Sequence, residues 1–332
     1  MKKSDEKNYL SLTHFFSKAL FLGIGISKVL VDAKESAIIS ILLGTFIGSL
    51  ILLFLSKLSF NKTNRFRKIV MIILLYFMLI IGLVEFTTLI SSIYLIDLKK
   101  YFIMFPTLLL IIYMNTKDIG VHIKVSNILF IICLFIFTIA FLALVPKIDY
   151  LNLLPLFNIS FKNILFTSLE FSLFSVVPNI LYGYLDYYNS KKLIKNYLIS
   201  NLFLTLFIVV TQGILSVELV KLFKYPEYIV LKKISLLDFV NNVENIISFL
   251  WIFTIFMYLS MCSKEIYDIS YELFNKKYIY PIFLLISMYF ISNYCLDNVI
   301  FLLFLYDNLW LILLVILVMY ILVNIVSLKK KK

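Results

Sequence analysis

Glycine and proline, which shape most turns of water-soluble folds, number only 8 and 6 among 332 residues, too few for the many tight turns an aqueous domain of this length needs. Charge is also sparse. Charged residues make up 15% and hydrophobic ones 62% of the chain, against about 25% and roughly 45–50% in soluble proteins. No soluble fold could hide that much apolar surface. The cysteines Cys133, Cys262 and Cys295 lie far apart in or beside apolar runs, without a CxxC or Cys/His cluster, and read as lipid-phase or packing residues rather than metal or redox sites. His14 and His122 are isolated from each other and from any HExxH spacing. The sequence also lacks a glycine-rich phosphate loop and a Walker signature, so nucleotide-driven transport by this chain alone is not expected. These absences point away from an enzyme, and no cofactor or metal is expected.

What is present is a series of long apolar runs separated by short polar stretches. A helix needs about 20 mostly apolar residues to cross the hydrocarbon core of a bilayer, where no backbone polar group can be left unpaired. On that criterion the chain divides into about ten transmembrane helices, at 10–31, 36–57, 69–96, 101–116, 124–146, 163–185, 193–218, 239–262, 278–296 and 304–327, within a single transmembrane domain spanning 1–332. The basic start MKKSDEKNYL is compatible with a signal peptide. The apolar run after it is too long and lacks a small-residue cleavage site, so it reads as the first membrane helix.

The net charge of +12 comes from cations interspersed between apolar blocks, which suits membrane flanks rather than a nucleic-acid surface. One set of loops holds Lys2, Lys3, Lys7, the run from Lys57 to Lys68, Lys117, Lys124, Lys191, Lys192, Lys195, Lys264, Lys276, Lys277 and Lys329 to Lys332. The alternate set, with Lys28, Lys34, Lys99, Lys100, Lys147, Lys162, Lys221, Lys224, Lys232 and Lys233, is about half as large. Because short cytoplasmic loops accumulate lysine and arginine, both termini are expected in the cytoplasm. Tyrosines near the predicted helix ends suit an interfacial belt. Two longer segments on the opposite side, Lys147 to Lys162 and Val220 to Phe239, read either as gates or partner contacts or as solvated connectors.

The spans themselves carry interruptions. Span one has Gly23 and Gly25 in FLGIGIS, each costing roughly 1 kcal/mol relative to alanine in a helix. Span six has Ser168, Ser172, Ser175 and Pro178 around Glu170, and a carboxylate within a membrane span is expensive on any scale. Transporters of the inverted-repeat class break two matching helices at the midplane and place substrate against the freed backbone. Spans one and six hold corresponding positions in a five-plus-five arrangement. The competing readings are close helix packing at the glycines and a protonated or lysine-paired Glu170 that only fixes packing. Glu85 in span three is a second intramembrane carboxylate. Lys18 could pair with it, but the favoured reading is snorkelling to the membrane surface. Gly44 and Gly48 form a GxxxG step, read as packing within the bundle.

The stretch YPEYIVLKKISLLDFVNNVENIISFLWIFTIFMYLS from Tyr225 to Ser260 resembles the spore-germination permease family, the B subunits of GerA-type germinant receptors, through Tyr225, Pro226, Ile234, Ser235, Asp238, Phe239, Glu244 and Trp251. Asn152, Leu153, Leu154 and Pro155 after span five, Glu170 and Pro178 in span six, and ISILLGTFIGSL in span two extend the likeness. The resemblance implies an all-α membrane protein of the amino acid-polyamine-organocation superfamily with a LeuT-like five-plus-five inverted repeat, approximately 10–146 and 163–296, and broken helices one and six. It further implies a germinant-receptor subunit in the bacterial cytoplasmic membrane, or the inner membrane of the spore, beside a large membrane subunit and a lipoprotein.

On this reading an amino acid or similar small nutrient binds between spans one and six. Gly23, Ile24, Gly25 and Ser27 are the expected contacts for its carboxylate, and Phe166, Ser168, Glu170, Phe171 and Ser172 those for its amine or side chain. The main alternative is a proton-coupled amino acid transporter with Glu85 or Glu170 as the proton carrier, since a desolvated carboxylate acquires a raised pKa suited to that task. A scaffold subunit with a decayed ligand site is the third reading.

Overall fold

A computed structural model describes residues 10–57, 64–183, 190–234, 243–276 and 279–329. Among them all regular structure is helical, as lipid demands of a backbone that must satisfy its own hydrogen bonds. In chain order the helices are α1 (Leu10–Ala19), α2 (Ile26–Ala33), α3 (Ala37–Lys57), α4 (Arg65–Ile93), α5 (Lys100–Asn115), α6 (Ile119–Leu144), α7 (Phe161–Val176) and α8 (Ser190–Ile214). After them come α9 (Val217–Val220), α10 (Pro226–Leu231), α11 (Val243–Phe274), α12 (Ile279–Asp297), α13 (Val299–Asp307) and α14 (Leu309–Lys329).

Every span drawn from the sequence overlaps a helix, but fewer satisfy the length and apolarity needed to cross a membrane. Seven helical stretches do so among the described residues, or eight if α12 and α13, which meet at a 93° bend, form one span. The shortfall has local causes. The first apolar run is divided at Phe21–Gly25 into α1 of 10 residues and α2 of 8. Helix α5 has 16 residues, about 24 Å at 1.5 Å per residue, which falls short of the ~30 Å hydrocarbon core.

Helix α11 runs twelve residues past its expected end at 262. The polar stretch beyond that position is helical because its charges find partners. Lys264 pairs with Asp268 at 3.0 Å and donates to the Asn115 carbonyl at 3.2 Å, and Glu272 pairs with Lys68 of α4 at 2.8 Å. Asn275, at φ 55°, then ends the helix, its N–H donating to the Tyr271 carbonyl at 2.8 Å, which is the left-handed stop that asparagine tolerates. Of the two longer segments, the first folds into short 3-10 turns at Val145–Lys147 and Tyr150–Leu153. It docks through Asn152 and the Asp149 N–H, both donating to the Gly213 carbonyl of α8. The second runs from the end of α9 through α10; residues 235–239, with Ser235, Asp238 and Phe239, lie outside the described residues.

The interior is built on α4, α7 and α11, whose apolar windows are 72%, 78% and 78% buried, whereas that of α6 is 17% buried. Large apolar side chains such as Phe46, Phe77, Phe135, Phe290 and Ile300 face outward. A protein bounded by water would not expose so many over so many helices; one bounded by lipid does. Helix α3 packs along α7 through the GxxxG step. A side chain at Gly44 would meet the Ser168 carbonyl oxygen at 2.5 Å, and one at Gly48 would overlap the Tyr197 hydroxyl. Both glycines thus serve packing within the bundle.

Candidate functional site: two interrupted helices and their buried charges

Between α1 and α2 the chain makes one π-type turn, Phe21–Gly25, in which the Ile26 N–H donates to the Phe21 carbonyl. Single π turns are common where a helix serves a function. This one is also a packing solution. The Phe21 ring lies where a Gly25 side chain would stand, and it meets Phe171 edge-on with ring centres 5.1 Å apart and Phe174 at 6.4 Å. Of Gly23 and Ile24 only the backbone is described. Ser27 is half-buried.

The second interruption is the 3-10 turn Val177–Gly183, which follows α7 directly. Pro178 lacks the N–H that would continue the α-helical ladder. Ser168, Glu170, Phe171 and Ser172 therefore sit within regular helix, short of the break. Their hydroxyls are turned back on the helix: Ser168 donates to Ile164 at 2.6 Å and Ser172 to Leu169 at 2.7 Å. Phe166 is set apart from this group, 43% exposed and edge-on to Trp310 at 5.2 Å.

The two interruptions are tied by a residue that sequence reasoning missed. Asn179, 1% exposed, donates to Ser17 Oγ of α1 at 2.9 Å and to the Ser175 carbonyl at 2.7 Å. Ser175 shares a 2.6 Å hydrogen bond with the Tyr197 hydroxyl, so spans one, six and seven converge on one polar seam. The signal for Asn179 was its place directly after Pro178 in an otherwise apolar run.

Glu170 is 1% exposed and forms an ion pair with Lys28 of α2 at 3.0 Å. The lysine is one-fifth exposed and also donates to the Asp307 carbonyl, at the end of α13, at 3.1 Å. Lys28, expected among the loop charges, instead turns inward and joins three segments. An ion pair in a low-dielectric interior is nearly balanced between Coulomb attraction and lost hydration, so another cation can replace one partner at modest cost.

Glu85 lies apart from this pair. It is 2% exposed on α4, and neither carboxylate oxygen has a hydrogen-bond partner among the described residues. Its electrostatic neighbours are Glu227 of α10, also buried, and Lys224. Burial, with Lys100 nearby, pushes the Lys224 pKa down from the usual lysine range, while Glu85 opposes that shift. Tyr225 and Tyr306 present their rings to the Lys224 ammonium, each at 5.3 Å, and Tyr306 shares a 3.2 Å hydrogen bond with Thr88.

Lys18 departs from both readings made of it. It neither reaches the surface nor pairs with Glu85; it is 9% exposed, and its ammonium lies 2.8 Å from His14 Nε2, one turn earlier on α1. The i, i+4 spacing of His14 and Lys18 placed them on one face, but sequence could not show that α6 and α8 enclose that face.

The profile of a family described as spore germination protein (spore permease) matches residues 13–302. No curated protein matches significantly.

Proposed function

From the membership of this chain in the spore-germination permease family, we propose that it is the membrane subunit of a spore germinant receptor, binding an amino acid or similar amine-bearing nutrient between its first and sixth spans. The observation that carries this reading is the Lys28–Glu170 ion pair beside the Phe21–Gly25 turn. The ligand's ammonium takes the place of the Lys28 ammonium on Glu170. Its carboxylate meets backbone N–H groups around Gly23 to Ser27, and Ser168, Phe171 and Ser172 bound the site. Phe166 contributes from its periphery.

In this reading the fold is a five-plus-five inverted repeat, with Phe21–Gly25 and Val177–Gly183 as matching interruptions of the two halves. Binding shifts the bundle because only one arrangement has Glu170 free of Lys28, and a ligand can shift an equilibrium only by its differential affinity for the two states. Freed from Glu170, Lys28 also loosens its hold on α13, which links ligand to the far end of the bundle. A large membrane subunit and a lipoprotein then receive the change, in the inner membrane of the spore and with both termini of this chain cytoplasmic.

The test is thermal stabilisation of the purified full-length chain by a panel of amino acids. Stabilisation by at least one of them is expected, lost in Glu170→Gln and kept or strengthened in Lys28→Met. Equal stabilisation of the native chain and Glu170→Gln would refute the site. A second reading, proton-coupled amino acid transport, is favoured by Glu85, an intramembrane carboxylate with no hydrogen-bond partner among the described residues. Uptake of labelled amino acid against its gradient by proteoliposomes holding this chain alone would select it over a receptor that only senses.

A further inference from the structure

On the other side of the Phe21–Gly25 turn, α1 carries a second buried cation with a cavity of its own. The ammonium of Lys18 lies 6.0 Å from the Phe137 ring centre and 5.8 Å from that of Phe203. Lys18 and His14 together open onto a cavity of about 70 Å³, walled by Cys133, Phe207, Trp251 and Thr254 among others. Among the described residues, neither a carboxylate nor a further basic group lines it.

The hydrogen-bond balance of this cavity is one-sided. For Lys18 to donate to His14 Nε2, the imidazole must be neutral with its proton on Nδ1, and that nitrogen has no partner among the described residues. An ammonium has three donors, and His14 takes one. Two N–H groups of Lys18 and one of His14 are left over. The Thr254 hydroxyl, whose own proton goes to the Leu250 carbonyl at 2.8 Å, keeps its acceptor lone pairs but receives no hydrogen bond from Lys18 or His14, and a thiol such as Cys133 is only a weak acceptor. A buried cation that faces donors and aromatic rings calls for an anion with two acceptor oxygens.

We propose that this cavity is a binding site for a small monovalent carboxylate of formate size, separate from the nutrient site. The size follows from the volume. A cavity of about 150 Å³ accommodates benzene, about 25 Å³ per heavy atom, so the 70 Å³ here suits about three heavy atoms, the number in formate. The separation follows from helix geometry. Lys18 and Lys28 are ten residues apart, about 15 Å along a helix, beyond the reach of one small amino acid. The carboxylate oxygens sit on Lys18 and His14 while the C–H edge meets the Phe137 and Phe203 rings.

Trp251 on the cavity wall supplies the readout, because the chain has only 2 tryptophans. In a Trp310→Phe background, full-length protein in detergent is titrated with sodium acetate and sodium formate against sodium chloride at constant ionic strength. A saturable change in Trp251 emission is expected with formate, at lower concentrations than with the larger acetate, and not with chloride. Lys18→Met should weaken it at least tenfold, and Lys28→Met should leave it intact. Ala140→Leu, which fills the cavity from another wall residue and leaves both basic groups in place, should also abolish it. This arm keeps the proposal testable if Lys18→Met does not fold. No saturable change in the Trp310→Phe protein, an undiminished one in Lys18→Met or Ala140→Leu, or an equal one with chloride would each overturn the site. None of these outcomes touches the Glu170 reading.

Discussion

Removing Lys28 should destabilise the protein more than removing the charge of its partner, although the two share one ion pair. At 3.0 Å the Coulomb attraction is about 5.5 kcal/mol for an effective dielectric constant of 20, but desolvation cancels much of it. What remains depends on which charge is stranded. In Lys28→Met the stranded group is Glu170, 1% exposed, and an uncompensated buried charge costs about 3–5 kcal/mol. Protonation of the carboxyl caps that cost, so about 2–4 kcal/mol is expected. In Glu170→Gln the stranded group is Lys28, which is one-fifth exposed and keeps its bond to the Asp307 carbonyl; about 1 kcal/mol is expected. The double variant strands nothing, so it should resemble Glu170→Gln rather than the sum of the single changes. Detergent-solubilised protein unfolded by increasing SDS fraction and followed by far-UV circular dichroism reads all four corners of the cycle. Additivity, or a larger loss in Glu170→Gln than in Lys28→Met, would refute the reasoning that Glu170 is the trapped partner.

Three further outcomes follow from packing and polarity. Gly44→Ala places a methyl group against the backbone oxygen of Ser168, which cannot rotate away, so α3 and α7 must part and the same unfolding assay should lose about 1–3 kcal/mol. Asn179→Leu removes the bond to Ser17 and leaves its hydroxyl to find another partner, a loss of about 1–2 kcal/mol; it should also weaken nutrient-induced stabilisation, since spans one and six then lose one of the ties between their interruptions. The three cysteines are all buried, so a charged maleimide should label none of them in the folded protein within minutes and all of them after SDS denaturation. Rapid labelling of Cys133 alone would show that the Lys18 cavity admits bulky solutes.

The membrane architecture was legible because hydrophobicity is a one-dimensional signal. Twenty apolar residues in a row have few fates, and Arg65–Ile93 or Ile119–Leu144 could be drawn within a few residues of their ends. Polar ends were harder. Lys264, Asp268 and Glu272 read as a loop, yet they extend α11, because charge in sequence does not reveal whether a partner from another helix will meet it. The 93° bend between α12 and α13 was invisible for a related reason. Asp297 and Asn298 are ordinary loop residues, and nothing local says that the apolar helix after them turns aside.

The interior was legible in outline and misread in detail, and one physical rule accounts for both. Glycine, proline and serine mark where a membrane helix can be interrupted, so the positions at Gly23 to Gly25 and at Pro178 stood out. They do not say on which side of the mark the helix yields. The Val177 N–H still reaches the Leu173 carbonyl, but Pro178 has no N–H to donate, so the ladder fails from Pro178 onward, whereas the serines before it satisfy themselves on preceding carbonyls and leave α7 intact. The lysines were misjudged for the complementary reason. A lysine near the end of an apolar run has a stem long enough to reach the surface or, equally, to swing inward, and only the neighbours decide. Lys28 finds Glu170 and Lys18 finds His14, both through side chains that the sequence had already flagged as isolated polar residues in apolar surroundings. Pairing each such residue with cations within reach on adjoining spans, rather than assigning the cations to loops, is the step that would have brought the Lys28–Glu170 pair into view.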